Sequence, residues 1–169
     1  MNTKQAPDIY SGEYLSVLPE GGAYDILLTD PPYSKRTRSG RRTGSDLKQS
    51  NIDYDYMDQE RADVLADYFS RRVKFWAIVF CDHHSFLYHE KAWQAVNWYT
   101  FAPVPWIKVA PPPRFTGDGP ANAAEYIFIA RPKKRLQKAR NGSRPGWYNF
   151  ASVRKTEFMI DGTVYPGSK

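Results

Sequence analysis

Residues 30–33 of this 169-residue chain read Asp-Pro-Pro-Tyr, and they follow closely on the apolar run Ile26-Leu27-Leu28. A carboxylate accepts hydrogen bonds from N–H donors, and a phenol ring offers a flat face for stacking. Two consecutive prolines fix φ twice, so the acid and the ring are held at a set spacing. Together they form a pincer for a planar group that bears an amine.

The element that must present this tetrapeptide is a strand over residues 24–29. A Gly21-Gly22 break precedes it and the proline pair follows, which leaves it too short and too punctuated for a helix. Its continuous apolarity predicts burial on both faces, as in a parallel α/β sheet. Ligands of such sheets bind beyond the carboxyl ends of the strands, where residues 30–33 lie. Further along, residues 12–18 read as a short strand and turn. Residues 57–73 read as a helix with Asp58 as N-cap, since Val64, Leu65, Tyr68, Phe69 and Val73 recur at helical spacing. Residues 75–81 read as a second buried strand with Asp82 at its carboxyl end, and 85–96 as a helix. Strands are expected over 98–101, 104–109 and 125–130, and a small hairpin over 158–164 around Asp161-Gly162. One α/β domain spans 1–169, with residues 1–11 loose, 34–56 a mobile basic loop and 131–156 a basic, aromatic-tipped insertion.

These residues resemble the amino-methyltransferases that use S-adenosylmethionine (SAM), above all the DNA adenine-N6 enzymes of the phage type. Asp-Pro-Pro-Tyr matches the family motif at the end of a central strand, with Asp30 the adenine-type first residue. Gly12-Glu13 with Leu15, Val17 and Leu18, then Trp106-Ile107-Lys108, residues 111–113, Gly117-Asp118-Gly119-Pro120 and residues 125–129 follow in the family's order. The closing Tyr165-Pro166-Gly167-Ser168-Lys169 looks like the start of its His-Pro-x-x-Lys-Pro segment. The resemblance implies a Rossmann-like, mostly parallel sheet, partial in this chain, and a catalytic set of Asp30, Pro31, Pro32 and Tyr33. Asp30 and the Pro31 carbonyl would accept the two amine hydrogens, and Tyr33 would stack on an extruded adenine. Asp30 and Lys169 would border SAM. Chemistry at cytosine C5 is disfavoured, because it needs a Pro-Cys nucleophile and the one cysteine, Cys81, follows Phe80. The family's Phe-x-Gly-x-Gly turn is missing, which leaves a base site without a complete cofactor site. A longer chain, a second chain or a degenerate, non-catalytic DNA-binding relative each fit that departure. Methylation of RNA or of a protein amide is the weaker reading. The open sheet edge that such a partial fold leaves invites pairing with a second chain or self-association. A phage or restriction-modification context goes with the resemblance.

Charge fits nucleic acid. The net charge is +6, and twelve of the 24 Lys plus Arg fall in two acid-free stretches. One holds Lys35, Arg36, Arg38, Arg41 and Arg42; the other holds Arg131, Lys133, Lys134, Arg135, Lys138, Arg140 and Arg144. Basic loops of this kind neutralise phosphates, so double-stranded DNA is the expected partner, with Lys35, Arg36, Arg38, Arg41, Arg42, Lys133, Lys134 and Arg135 in contact. Lys108 reads either as a phosphate contact or as plain surface. Trp147, Tyr148 and Phe150 either stack on bases or pack the insertion onto the body. Asp82 is either a helper at the pocket or a helix N-cap. Cys81, Asp82, His83 and His84 are neighbours, but adjacent strand residues point oppositely, so no metal site is expected. Neither a signal peptide nor an apolar run of membrane-spanning length is present, and a lone cysteine suits a reducing compartment, here a bacterial cytoplasm.

Overall fold

A computed structural model describes residues 8–39, 55–109, 111, 118–134, 146, 148–151, 157–160 and 163–166. The elements run α1 (Tyr14–Val17), β1 (Tyr24–Thr29), α2 (Lys35–Ser39), α3 (Gln59–Ser70), β2 (Val73–Cys81), α4 (His83–Ala95) and β3 (Trp98–Thr100). They continue with β4 (Val104–Val109), β5 (Ala124–Pro132), β6 (Tyr148–Ala151), β7 (Glu157–Ile160) and β8 (Thr163–Pro166). Six strands form one open sheet in the order β1-β2-β5-β4-β6, with β3 also paired to β5. β1 runs parallel to β2 and β4 parallel to β6, whereas β5 is antiparallel to β2, β3 and β4. The parallel pair β1-α3-β2 is the crossover unit that puts two strand carboxyl ends side by side. β7 and β8 form the hairpin expected from Asp161-Gly162. Among the described residues no helix is long and apolar enough to cross a membrane.

The two long helices follow their capping chemistry. Asp58 accepts from the Arg61 N–H at 3.0 Å and opens α3, whose Ala62, Leu65, Ala66 and Phe69 are buried. Asp82 and Ser85 form a capping box that opens α4. Their apolar faces meet Leu27, Ala77, Val79, Cys81, Phe128 and Ala130 in one core. Phe128 is its hub, with the rings of Phe86 and Trp93 centred 5.6 and 6.4 Å away.

Three expectations change. Residues 12–18 are not strand and turn: the Glu13 carbonyl accepts from the Ser16 and Val17 N–H groups, making the single helical turn of α1. It is fixed from outside, by Tyr14 stacking on Phe69 at 5.4 Å. Second, β1 is buried on one face only. Leu27 lies in the core, but Ile26 and Leu28 are 53% and 67% exposed, because both helices cover the same side of the sheet. The opposite face carries Trp76 and Ile78 beside them in register and, beyond the paired stretch, Phe80, edge-on to Trp106 at 5.6 Å. Third, the stretch 34–56 begins with a helix, α2, rather than irregular chain. Within 131–156, Tyr148–Ala151 is a strand of the main sheet, with Trp106 opposite Tyr148 and Lys108 opposite Phe150.

His89 of α4 is fully buried over Phe128, and neither ring nitrogen has a hydrogen-bond partner among the described residues. Burial pushes its pKa down to about 4, against a smaller opposing pull from Asp82. The folded state therefore keeps His89 neutral while the unfolded chain binds a proton at its ordinary 6.5. Its stability contribution is complete above pH 6.5 and falls as pH drops towards 4, by on the order of 3 kcal/mol. In urea titrations across this range, His89→Phe is expected to flatten the pH dependence of the midpoint. Identical profiles for wild type and variant would refute the assignment.

Candidate functional site

β1 ends at Thr29, level with Val79 of β2, and Asp30 stands just past it on the surface. Pro31 and Tyr33 are half-buried and Pro32 is exposed. The Tyr33 hydroxyl donates to Glu125 Oε2 at 3.0 Å. Glu125 lies on β5 opposite Trp106, and its Oε1 is paired with the Lys108 ammonium one strand over. Lys108, read from sequence as phosphate contact or surface, is thus an internal partner. Desolvation, then the charge of Glu125, raises the Asp30 carboxyl above its usual range. Tyr33 is raised far above its ordinary value by burial and by both carboxylates, so its phenol stays a neutral donor. A flat ring, tied at its hydroxyl, and an exposed acid of heightened basicity stand together at the sheet's carboxyl edge.

Asp82 fixes the chain that leaves this motif. Its Oδ1 accepts from the His84 and Ser85 N–H groups at 3.0 and 2.7 Å as the N-cap of α4. Its Oδ2 accepts from the Ser34 N–H at 3.0 Å, the Ser34 hydroxyl at 2.6 Å and the Thr37 hydroxyl. Burial alone would raise this carboxyl, but donors from Ser34, Ser85 and Thr37 outweigh it and hold the group well below the usual carboxylate range. Of the two readings of Asp82, the structure shows the N-cap of α4, and the same carboxylate pins residue 34, next to Tyr33. Cys81, just before it, is buried, and burial pushes its thiol up to about 12, far from a thiolate nucleophile at neutral pH.

The basic residues separate. Lys35 and Arg36 adjoin the motif on α2; Lys35 Nζ lies 5.4 Å from the Tyr56 ring centre, and Arg36 Nη1 lies 3.0 Å from His84 Nε2. Lys133 and Lys134 are exposed in the turn after β5. Because Cys81 faces Tyr126 while Ala77 faces Ala130, β5 runs away from the motif. That puts Lys133 at the other end of the sheet, roughly 20 Å from Asp30 along the strands. Arg38 lies on α2 by its backbone, while Arg41, Arg42, Arg135, Trp147 and Lys169 fall outside the described residues. Among the described residues no group of three His, Cys, Asp or Glu side chains is placed to hold a metal ion.

Glu125 is the site residue that sequence reasoning missed. Its pairing with Tyr33 spans 92 positions and depends on the register between β5 and its neighbours. The only signal was an acid heading the apolar run Tyr126-Ile127-Phe128-Ile129, where a strand interior would not place one.

Strand order, crossover and the placement of these groups define an open, Rossmann-like α/β sheet with its candidate site at the strand carboxyl ends. The fold is similar to that of M1.HpyAVI. The crystal structure of M1.HpyAVI superposes with a TM-score of 0.53 at 18% identity, over 80% of this chain and 60% of that one. The M1.HpyAVI–SAM complex superposes with a TM-score of 0.49 at 18% identity, over 74% and 54%. The chain thus spans less than two thirds of the length of M1.HpyAVI in either structure. No family model matches the sequence, and no curated protein does.

Proposed function

We propose that this chain carries the base-holding part of a SAM-dependent DNA methyltransferase acting on the N6 amine of an extruded adenine. The observation that supports it most is the pairing of an exposed, raised-pKa Asp30 with a Tyr33 ring tethered through Glu125. The adenine amine is a weak nucleophile because its lone pair is delocalised into the ring. Asp30 would accept one amine hydrogen and the Pro31 carbonyl the other, favouring a pyramidal nitrogen with its lone pair directed outward. Tyr33 would stack on the base. When the nitrogen gains a methyl group it must lose a proton, and a carboxylate of raised basicity is suited to receive it.

SAM would supply the methyl group; M1.HpyAVI, whose fold this chain shares, has been crystallised with it. No Gly-x-Gly turn joins a strand to a helix among the described residues, and Lys169 lies outside them. On this reading the described side chains would serve the acceptor side of the reaction, and the cofactor's cradle is not assigned to them.

The test is to incubate the protein with methyl-labelled SAM and unmethylated DNA, digest to nucleosides and identify the labelled one. N6-methyl-2′-deoxyadenosine is expected. Label on cytosine would refute the base assignment, and no label on DNA, with RNA or protein labelled instead, would refute the substrate.

A further inference from the structure

Beside the motif, on the far side of Ser34, lies an open cleft of about 520 Å³. Lys35, Arg36, Tyr56, Met57, His84 and Tyr88 form most of its wall. This volume lies in the range of sites that hold a small molecule or one nucleotide unit. Two cations and an imidazole stand among two phenol rings, with Asp58, which pairs with Arg61 at 2.8 Å, in the same lining.

The wall is also held in place. Ser34, 3% exposed, is pinned by Asp82 through both its N–H and its hydroxyl. Met57 is bridged to Ser34, and its N–H donates to the Tyr33 carbonyl at 3.1 Å. Lys35 rests over the Tyr56 ring. Arg36 Nη1 lies 3.0 Å from His84 Nε2, which ties α2 to the start of α4. Cations fixed next to aromatic rings, one residue from a base-holding motif, match a phosphate with a sugar or base beside it.

We propose that this cleft seats a backbone phosphate and the adjoining nucleoside of the DNA strand whose base enters the Asp30 and Tyr33 site. Lys35 and Arg36 contact the phosphate and Tyr56 faces the neighbouring ring. The inference rests on the DNA reading above, but adds a subsite made of residues outside the motif.

The experiment measures binding to a short duplex as a function of salt for wild type, the Lys35→Ala/Arg36→Ala double variant, Lys35→Arg and Tyr56→Ala. The double variant is expected to lower the salt slope by about 0.9 for each cation removed, so that the affinity lost between about 50 and 200 mM salt shrinks roughly tenfold. Lys35→Arg should keep the wild-type slope. Tyr56→Ala should weaken binding at every salt concentration without changing it. Replacing single phosphates by neutral methylphosphonates should weaken wild type at one position near the target base, and that penalty should vanish in the double variant. An unchanged slope, or a penalty that persists in the double variant, overturns the proposal. Adenosine monophosphate that binds through Lys35 and Arg36 while duplex binding ignores them also overturns it, in favour of a free nucleotide. Methyl transfer is scored separately: label on adenine with an unchanged slope sinks the subsite alone, whereas a lowered slope without label sinks the methylation reading alone.

Discussion

Asp30→Ala is expected to reduce methyl incorporation into DNA by about 10²–10³-fold, the usual scale for losing one charge-stabilising group at a reacting atom. Retention of DNA should stay close to wild type, because the proposed phosphate contacts lie on other residues. Asp30→Asn separates two contributions: the amide keeps one acceptor oxygen but cannot receive a proton, so activity should stay low although the pocket keeps its shape. The raised Asp30 carboxyl adds a pH signature. Only the ionised form can receive the proton, so the rate should fall on the acid side at a pH above the ordinary carboxylate value of 3.8. Filter binding alongside a labelled-methyl assay, across pH, checks all of this. Full activity in either variant would remove Asp30 from the chemistry.

Asp82→Ala should be the most damaging substitution for the fold near the site. It deletes the N-cap of α4, which is worth about 1 kcal/mol, and strands buried donors of Ser34 and Ser85 at roughly 1–3 kcal/mol in total. A loss of about 3 kcal/mol corresponds to a drop of roughly 10 °C in Tm for a chain of this size. Asp82→Asn retains one acceptor and should recover part of it. The carboxyl is depressed in the folded protein, so its contribution is complete at neutral pH. It is lost as pH falls below the ordinary value of 3.8, a window distinct from that of His89. Thermal unfolding at neutral pH and in acid distinguishes the two groups. A Tm within a degree or so of wild type for Asp82→Ala would mean that the latch between residue 34 and α4 contributes nothing.

Local signals in the sequence carried the elements that depend on local chemistry. Asp58 before a helical apolar period, Asp82 at the end of a buried strand and Asp161-Gly162 between short apolar runs each mark a cap or a turn, and α3, α4 and the β7–β8 hairpin stand there. Long-range decisions were not legible. α1 exists because Tyr14 finds Phe69, a contact no window of a few residues contains. A continuous apolar run such as Ile26-Leu27-Leu28 reads the same whether one face or two are covered. The basic stretches looked equivalent along the chain, yet β5 reverses direction and carries Lys133 away from Asp30. At the site, the motif itself was legible, while its support was not: Glu125 and Lys108 reach Tyr33 through pairing between β4 and β5.

β1 forms the rim of the described sheet, with β2 on its inner side only. A strand zipped in parallel along the outer side of Tyr24–Thr29 would terminate level with Asp30, and the turn leaving it would lie beside the 30–33 motif. On the proposed reading, a segment paired along that rim would border the adenine, so occupying the strand edge would bear on the chemistry as well as on the sheet.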